Sequence, residues 1–510
     1  MEFPLPLPVI ETVESLKKAG FEAYIVGGCV RDILIGRTPK DWDITTDALP
    51  EQIQTVFPDH VYENTFGTIS VKVPRFHPLT PPQYEHDIIE VTTYRTETGY
   101  SDHRRPDRVT FVTTLTEDLA RRDFTINALA ASVDRWTPSE ETRSTAISEL
   151  SLIDPFGGLA DIEKKVIRAV GNPEQRFEED ALRIMRAIRF ASELRTPEKQ
   201  SASSNWHIDE PTLGAVKKYA ANLNIISLER IRDEFSRIVL SPNPAFGVDL
   251  LLSTGLLHYI IPELEEGVGV GQNLHHIYTV WEHNLRALET CPSPKLHVRL
   301  AALLHDVGKP RTKQGDGYRS TFYNHDHVGA RMTKVILARL RYPKDIIEKT
   351  TLLVDNHLFY YNVGEVTEAS VRRLIRKVGL ENMHDLMDVR ISDRLGSGVP
   401  KAKPYKLRHL EYMIDKVSQD PISVKMLKIN GQDLMRDCSL APGPKIGAIL
   451  DVLLAETIEN PSINTRETLL AKAQSLLKHN LDDLRSLAKE KIEEKRNTDD
   501  QDIKQQHFVQ

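Results

Sequence analysis

Asp41-Trp42-Asp43 sets two carboxylates two residues apart. In an extended segment that spacing puts both on one face, within reach of one cation. Magnesium is commonly held by one or two such hard oxygen donors together with substrate phosphates. Upstream, Gly27-Gly28 follows the apolar run Ala23–Val26 and precedes Arg31-Asp32. A glycine pair between a strand and a helix lets backbone N–H groups approach a triphosphate, and a helix start favours its negative charge. Further on, Arg122 offers a planar donor fork for phosphate, and Asp123 can accept from a ribose hydroxyl. Asp180 and Arg183 lie three apart in a segment of helical periodicity, hence on one face. A carboxylate accepts from an exocyclic amino group and a guanidinium donates to ring acceptors, so such a pair can read C and A while disfavouring U and G. Each feature alone is common in solvated loops, tight turns and surface ion pairs; their order along one chain points to nucleotide chemistry.

The segment GGCVRDILIGRTPKDWDI resembles the signature of the class II tRNA nucleotidyltransferase and bacterial poly(A) polymerase family, a branch of the DNA polymerase beta superfamily. The next motifs follow in that family's order. RRDFTINA, which contains Arg122, Asp123 and Asn127, is similar to the motif that contacts the sugar and phosphates of the incoming nucleotide. EDALR, which contains Asp180 and Arg183, is similar to the motif that reads its base. The resemblance implies two-metal nucleotidyl transfer with Mg2+ on Asp41 and Asp43. It also places Glu90, in DIIEVTTYR, where the superfamily keeps a third carboxylate. Gly27, Gly28, Arg31 and Arg186 join the expected nucleotide-binding set. YRTETGYSDHRRPDR (94–108) resembles the loop that full CCA-adding enzymes use to switch to adenosine, and its Gly, Ser, Asp and Pro content suits a mobile loop.

A second cluster stands apart. His305-Asp306 lies inside LAALLHDVGKP, with His283 upstream, then His325, His327, His357 and Asp393. Imidazoles with aspartates suit a divalent metal that activates water on a phosphate ester. The set resembles the HD phosphohydrolase superfamily, which implies His283, His305, Asp306 and Asp393 as metal ligands, with His327 and His357 as accessories. His275 and His276 compete with His283 for the first position.

These residues need a frame. Val9–Ala19 reads as a helix stopped by Gly20, with strands at 23–26, 42–45, 68–73, 87–94 and 109–113 and a short helix at 30–35. Polar breaks at Thr137–Ser148 and Arg195–Asn205 read as surface insertions, and 74–83 as a Pro-rich loop. From Ala160 to about 480 helical periodicity dominates. The expected fold is α+β: a nucleotidyltransferase head with a small mixed sheet and helices, then an all-α neck, body, HD domain and tail. The division is 1–157 head, 158–270 neck and body, 271–400 HD domain, 401–480 tail, and 481–510 a charged, disordered end.

Arg183, Arg186 and Arg189 form a basic stripe along one helix, with Phe190 on another face. Residues 372–408 hold ten Lys/Arg against four Asp/Glu, although the whole chain has 66 against 73. Both regions are candidate contacts for RNA phosphates. Three widely spaced cysteines among 510 residues exclude a disulfide framework and fit a reducing cytoplasm. The N-terminus shows no secretory pattern, and no apolar run reaches the roughly 20 residues that span a bilayer. The reading is CCA addition to the tRNA 3′ end from CTP and ATP, with no membrane partner. Its competitors are a poly(A) polymerase, an enzyme adding only CC or only A, and an HD phosphohydrolase with an RNA-binding head.

Overall fold

The computed structural model describes residues 2–488 except 63–66, 77–85, 99–107, 140–143, 197–204, 273–276, 316–318, 400–402, 419–423 and 425–426, and also 501 and 504–509. His275, His276, most of the 94–108 loop, the centre of the 195–205 break, residues 77–83 of the Pro-rich loop and most of the charged end lie outside the described residues.

The head strands are β1 (Glu2–Pro6), β2 (Ala23–Val26), β3 (Asp43–Thr46), β4 (His60–Tyr62), β5 (Thr68–Pro74), β6 (His86–Thr93), β7 (Arg95–Thr98), β8 (Arg108–Phe111), β9 (Ala130–Pro138) and β10 (Thr145–Ile153). Eight form one sheet in the order β1-β10-β9-β2-β3-β6-β5-β4, while β7 and β8 pair separately. Pairing is antiparallel except between β3 and β6, which run parallel. Alternation along the strands sorts the two faces. Ile25, Ile44, Ile89 and Val91 pack on one face against Val9, Ile10, Val13 and Leu16 of the helix Leu7–Lys18. These side chains are fully buried, and each such burial contributes about 1.5–3 kcal/mol. On the opposite face Val26 packs with Leu115 and Leu119 of the helix Leu115–Ala120.

The insertion expected at 137–148 is largely strand: β9 and β10 are registered from Ala130–Ile153 to Pro138–Ala146. Its polar composition hid an edge region whose outer face meets solvent. Among the described residues β1, rich in proline, pairs only with β10, a border position where missing N–H donors are tolerated.

Beyond Gly158 the described chain is helical apart from a two-residue parallel ladder, Val166–Ile167 with His207–Ile208, and isolated bridges. Two compact units emerge: Met1–Asp355 with Gly396–Gly398, and Asn356–Leu395 with Val399–Gln510. In the second unit Leu434, Ile449, Leu453 and Leu469 centre a helical core of their own. Among the described residues no helix is long and apolar enough to cross a membrane.

Candidate active site

β3 begins at Asp43, which stands opposite Glu90 of β6, followed by the pair Ile44 and Val91. Because Ile44, Ile89 and Val91 fill the core, Asp43 and Glu90 turn to the other face of the sheet. Asp41 is exposed in the bend just before the strand. Burial pushes the Asp43 carboxyl above its usual range, and the negative charge of Asp41 adds to this, against the pull of Arg122. Hard oxygen donors carrying uncompensated negative charge fit a magnesium ion.

Gly27 adopts φ +87°, where side chains are strained, and its N–H donates to the Leu129 carbonyl at 3.0 Å. A Cβ at this position would sit 2.7 Å from Arg122 Nη1 and 3.6 Å from Asp43 Oδ2. The glycine thus admits the Arg122 guanidinium beside the carboxylate. Among the described residues Arg122 makes no side-chain hydrogen bond and its Nε is buried without a partner; its carboxylate neighbour is Asp118, at 3.9 Å. Gly28 opens the seven-residue helix Gly28–Leu34. Arg31, expected in the nucleotide-binding set, donates to Asp32 and, at 2.6 Å, to Asn127 Oδ1. It is a buried brace.

Asn127 passes this brace on, donating to Asp123 Oδ1 at 3.1 Å. The same oxygen accepts from the Phe124 N–H, and Oδ2 accepts from Arg186 Nε at 2.6 Å. Burial alone would raise the Asp123 carboxyl, but Arg186 and Asn127 outweigh it and hold it far below the carboxylate range. Oδ2, with one donor, keeps acceptor capacity for a hydroxyl.

The base-reading pair is arranged differently from expectation. The helix Pro173–Glu179 ends at Asp180, whose φ of −137° is extended, and a new helix runs Leu182–Leu194. Asp180 therefore does not share a helix with Arg183. Its carboxylate accepts from Arg230 at 2.7 and 3.2 Å and from the Leu182 N–H. Arg183 pairs with Glu179 at 2.7 Å and donates to the Arg121 carbonyl. The basic stripe is likewise neutralised: Arg186 holds Asp123, and Arg189 holds Glu234 and Glu193. Phe190 does not face elsewhere; the guanidiniums of Arg31, Arg186 and Arg189 lie 5.1, 5.4 and 4.3 Å from its ring centre.

A cavity of about 500 Å³ opens beside the carboxylates, lined by Gly28, Asp41, Asp43, Arg37, Lys40 and Arg237 among others. Sequence reasoning passed over Arg37, which donates to the Glu193 and Leu194 carbonyls and so caps the end of Leu182–Leu194. Asp118 was missed too, although Arg121 and Arg122 follow it at the i+3 and i+4 spacing of one helical turn; Arg230 was missed because its partner Asp180 is 50 residues away.

In the first unit, His283 Nε2 lies 3.0 Å from His305 Nε2, and both lie 3.3 Å from Asp306 Oδ2. His325 Nε2 meets Asp306 Oδ1 at 3.3 Å. His305 and His325 turn Nδ1 to the Ala302 and Phe322 carbonyls, which fixes Nδ1 as donor and leaves Nε2 to act as ligand. That donor set fits a divalent transition metal. His327, half exposed, instead contacts Asp355 at 2.6 Å; His325 takes the place expected for it. In the second unit His357 is buried, and Asp393 pairs with Arg390 at 2.8 Å in the helix Met383–Gly396.

Residues 23–168 match the family model described as "Poly A polymerase head domain", 205–267 the one described as "Probable RNA and SrmB- binding site of polymerase A", and 323–473 the one described as "tRNA nucleotidyltransferase domain 2 putative". The chain is 33% identical over 480 residues to a CCA-adding enzyme of Ligilactobacillus salivarius, covering 93% of this chain and 97% of that one. It is 32% identical over 472 residues to a CCA-adding enzyme of Lactiplantibacillus plantarum, covering 92% and 95%. A crystal structure of the Bacillus stearothermophilus CCA-adding enzyme in complex with CTP aligns with TM-score 0.56 and 26% identity over 92% of this chain and 96% of that one. The head fold and these matches define a nucleotidyltransferase. The chain belongs to the class II CCA-adding enzyme and bacterial poly(A) polymerase family.

Proposed function

We propose that this protein adds CCA to the 3′ end of tRNA from CTP and ATP, at the head site. The observation that carries the reading is Arg122: a guanidinium seated over the Gly27 turn, beside Asp43, with no side-chain hydrogen bond among the described residues and Asp118 no nearer than 3.9 Å. Such a group needs an anion, and a triphosphate supplies it. Asp41 and Asp43, with Glu90 across the strands, would hold Mg2+, which supplies Lewis-acid stabilisation of the phosphates and of the attacking hydroxyl. Asp123 accepts the ribose hydroxyl on Oδ2. Asp180 and Arg183 meet the base edge in place of a template, exchanging Arg230 and Glu179 for it. RNA contacts fall to 372–408, the cytoplasm is the setting, and the functional division is that at 157, 270, 400 and 480.

The test is product length on a tRNA lacking CCA, with CTP, ATP or both. Three added nucleotides with both, and no long A tract with ATP alone, is the expected result. A tract that keeps growing with ATP alone marks a poly(A) polymerase, and products stopping at CC or A mark a partial enzyme.

The His283–His305–Asp306–His325 cluster favours a second reading, a metal-dependent phosphohydrolase of the HD type. Two imidazoles whose Nδ1 protons are spent on backbone carbonyls aim Nε2 at a carboxylate, an arrangement a bound cation stabilises. Hydrolysis of phosphomonoesters or 2′,3′-cyclic phosphates with added Mg2+, Mn2+, Co2+ or Ni2+, lost in His305→Ala, tests it.

A further inference from the structure

We propose that Asp118 is a positioning residue that holds Arg122 on the nucleotide side of the site and away from Asp43, keeping the carboxylate pair open to a divalent cation. The proposal rests on the head-site function read above.

Asp118 is fully buried, yet nothing in the chemistry of transfer uses it. A carboxylate at such a position is costly unless charge and hydrogen bonds offset it, and several groups converge here. Oδ1 accepts from Arg121 Nε at 3.0 Å, Arg121 Nη2 at 2.9 Å and the Arg95 N–H at 3.3 Å. Oδ2 accepts from Thr45 Oγ1 at 3.3 Å and faces Arg122 Nη2 at 3.9 Å. Thr45 follows Asp43 by two residues in β3 and shares its face of the sheet. Asp118 therefore ties the metal-bearing strand to the Arg121-Arg122 pair and to the start of β7.

Arg122 stands between two carboxylates. Its Nη1 and Asp43 Oδ2 both lie near the point above Gly27, at 2.7 and 3.6 Å, but the two residues form no ion pair. Arg121 already compensates Asp118, so Asp118 draws Arg122 without being saturated by it. If the Asp118 charge is removed, Asp43 becomes the strongest attraction left to Arg122. The guanidinium then closes onto the oxygens a cation needs and competes with it.

Asp118→Asn tests this, because the amide keeps the size and Thr45 Oγ1 can accept from its Nδ2. Mn2+ binding to the enzyme–CTP complex without RNA, in a His305→Ala background and against a CTP-only control, is read as loss of the free-ion EPR signal, with Tm and far-UV circular dichroism on the same samples. The expected result is a folded variant whose Mn2+ affinity falls about tenfold or more. A folded variant with wild-type Mn2+ affinity overturns the proposal. Should Asp118→Asn fail to fold, Thr45→Val decides, because it removes the hydroxyl shared between the Asp118 carboxylate and the Thr92 carbonyl: an affinity loss of about threefold or more supports the proposal, and no change overturns it. Wild-type protein that binds no Mn2+ with CTP would count against the head-site function itself, a separate failure.

Discussion

Asp43 and Glu90 stand opposite each other in the β3–β6 pair, the one parallel pairing among the described strands of the large sheet. Parallel register lets two carboxylates far apart in sequence share one face at neighbouring strand spacing. Glu90→Gln keeps the shape and removes one charge. Its kcat for CMP addition is expected to fall about 10–100-fold, with partial recovery at raised Mg2+. A variant with wild-type kcat at low Mg2+ would show that Glu90 lies outside the site's work.

Gly27→Ala tests the turn. A Cβ there meets Arg122 Nη1 at 2.7 Å and the residue must hold φ +87°, a strain of about 1–3 kcal/mol. Displacing Arg122 removes a charge-assisted contact to phosphate, so KM for CTP should rise roughly tenfold or more, with KM for tRNA little changed. Unchanged CTP kinetics would place the triphosphate elsewhere.

Opposite shifts at Asp123 and Asp43 give opposite stability effects. Asp123 is held below its unfolded value, so the unfolded state binds more protons. Its contribution is complete above about pH 3.9 and is lost as pH falls below that toward the folded value. Asp123→Asn leaves Arg186 without its partner and should cost about 3 kcal/mol at pH 7, while flattening the acid limb of the stability curve. Asp43 is raised, so its ionisation opposes folding once pH exceeds the ordinary carboxylate range. Asp43→Asn should therefore be inactive yet more stable at pH 7 in chemical denaturation. A less stable Asp43→Asn contradicts this account.

What the sequence revealed divides along physical lines. The first helix, β2, β3, β5 and β6 carry clear periodicity or alternation, and all were placed within two residues. The places of Asp43 and of the Gly27 turn were legible because a strand start and a turn fix them locally, whereas Asp41 lies in the bend before the strand. β9 and β10 were missed because a small-residue strand and a polar strand one in from the sheet border lack a strong apolar pattern. The break at Asp180 was missed although its carboxylate accepts from the Leu182 N–H at the start of the next helix; its other partner, Arg230, is 50 residues away. The same limit hid Asn127 as the partner of Arg31, Asp123 as that of Arg186 and Glu234 as that of Arg189, each tens of residues away along the chain. Sequence spacing could not tell His325 from His327 beside Asp306.

Base selection has its own test. Asp180→Ala removes the acceptor for an exocyclic amino group, at a position now held by Arg230. Discrimination for CTP over UTP, as the ratio of kcat/KM, should drop by about 1–3 kcal/mol, roughly 5- to 150-fold. Intact discrimination would assign base reading to other residues.

The central claim is that nucleotide addition belongs to the head site and is separable from the histidine cluster. The direct measurement is CCA addition to a tRNA lacking its 3′ end by wild type, Asp43→Ala and His305→Ala, each shown to be folded. The account predicts complete loss in Asp43→Ala and full CCA addition by His305→Ala. Addition that survives Asp43→Ala and disappears in His305→Ala contradicts it.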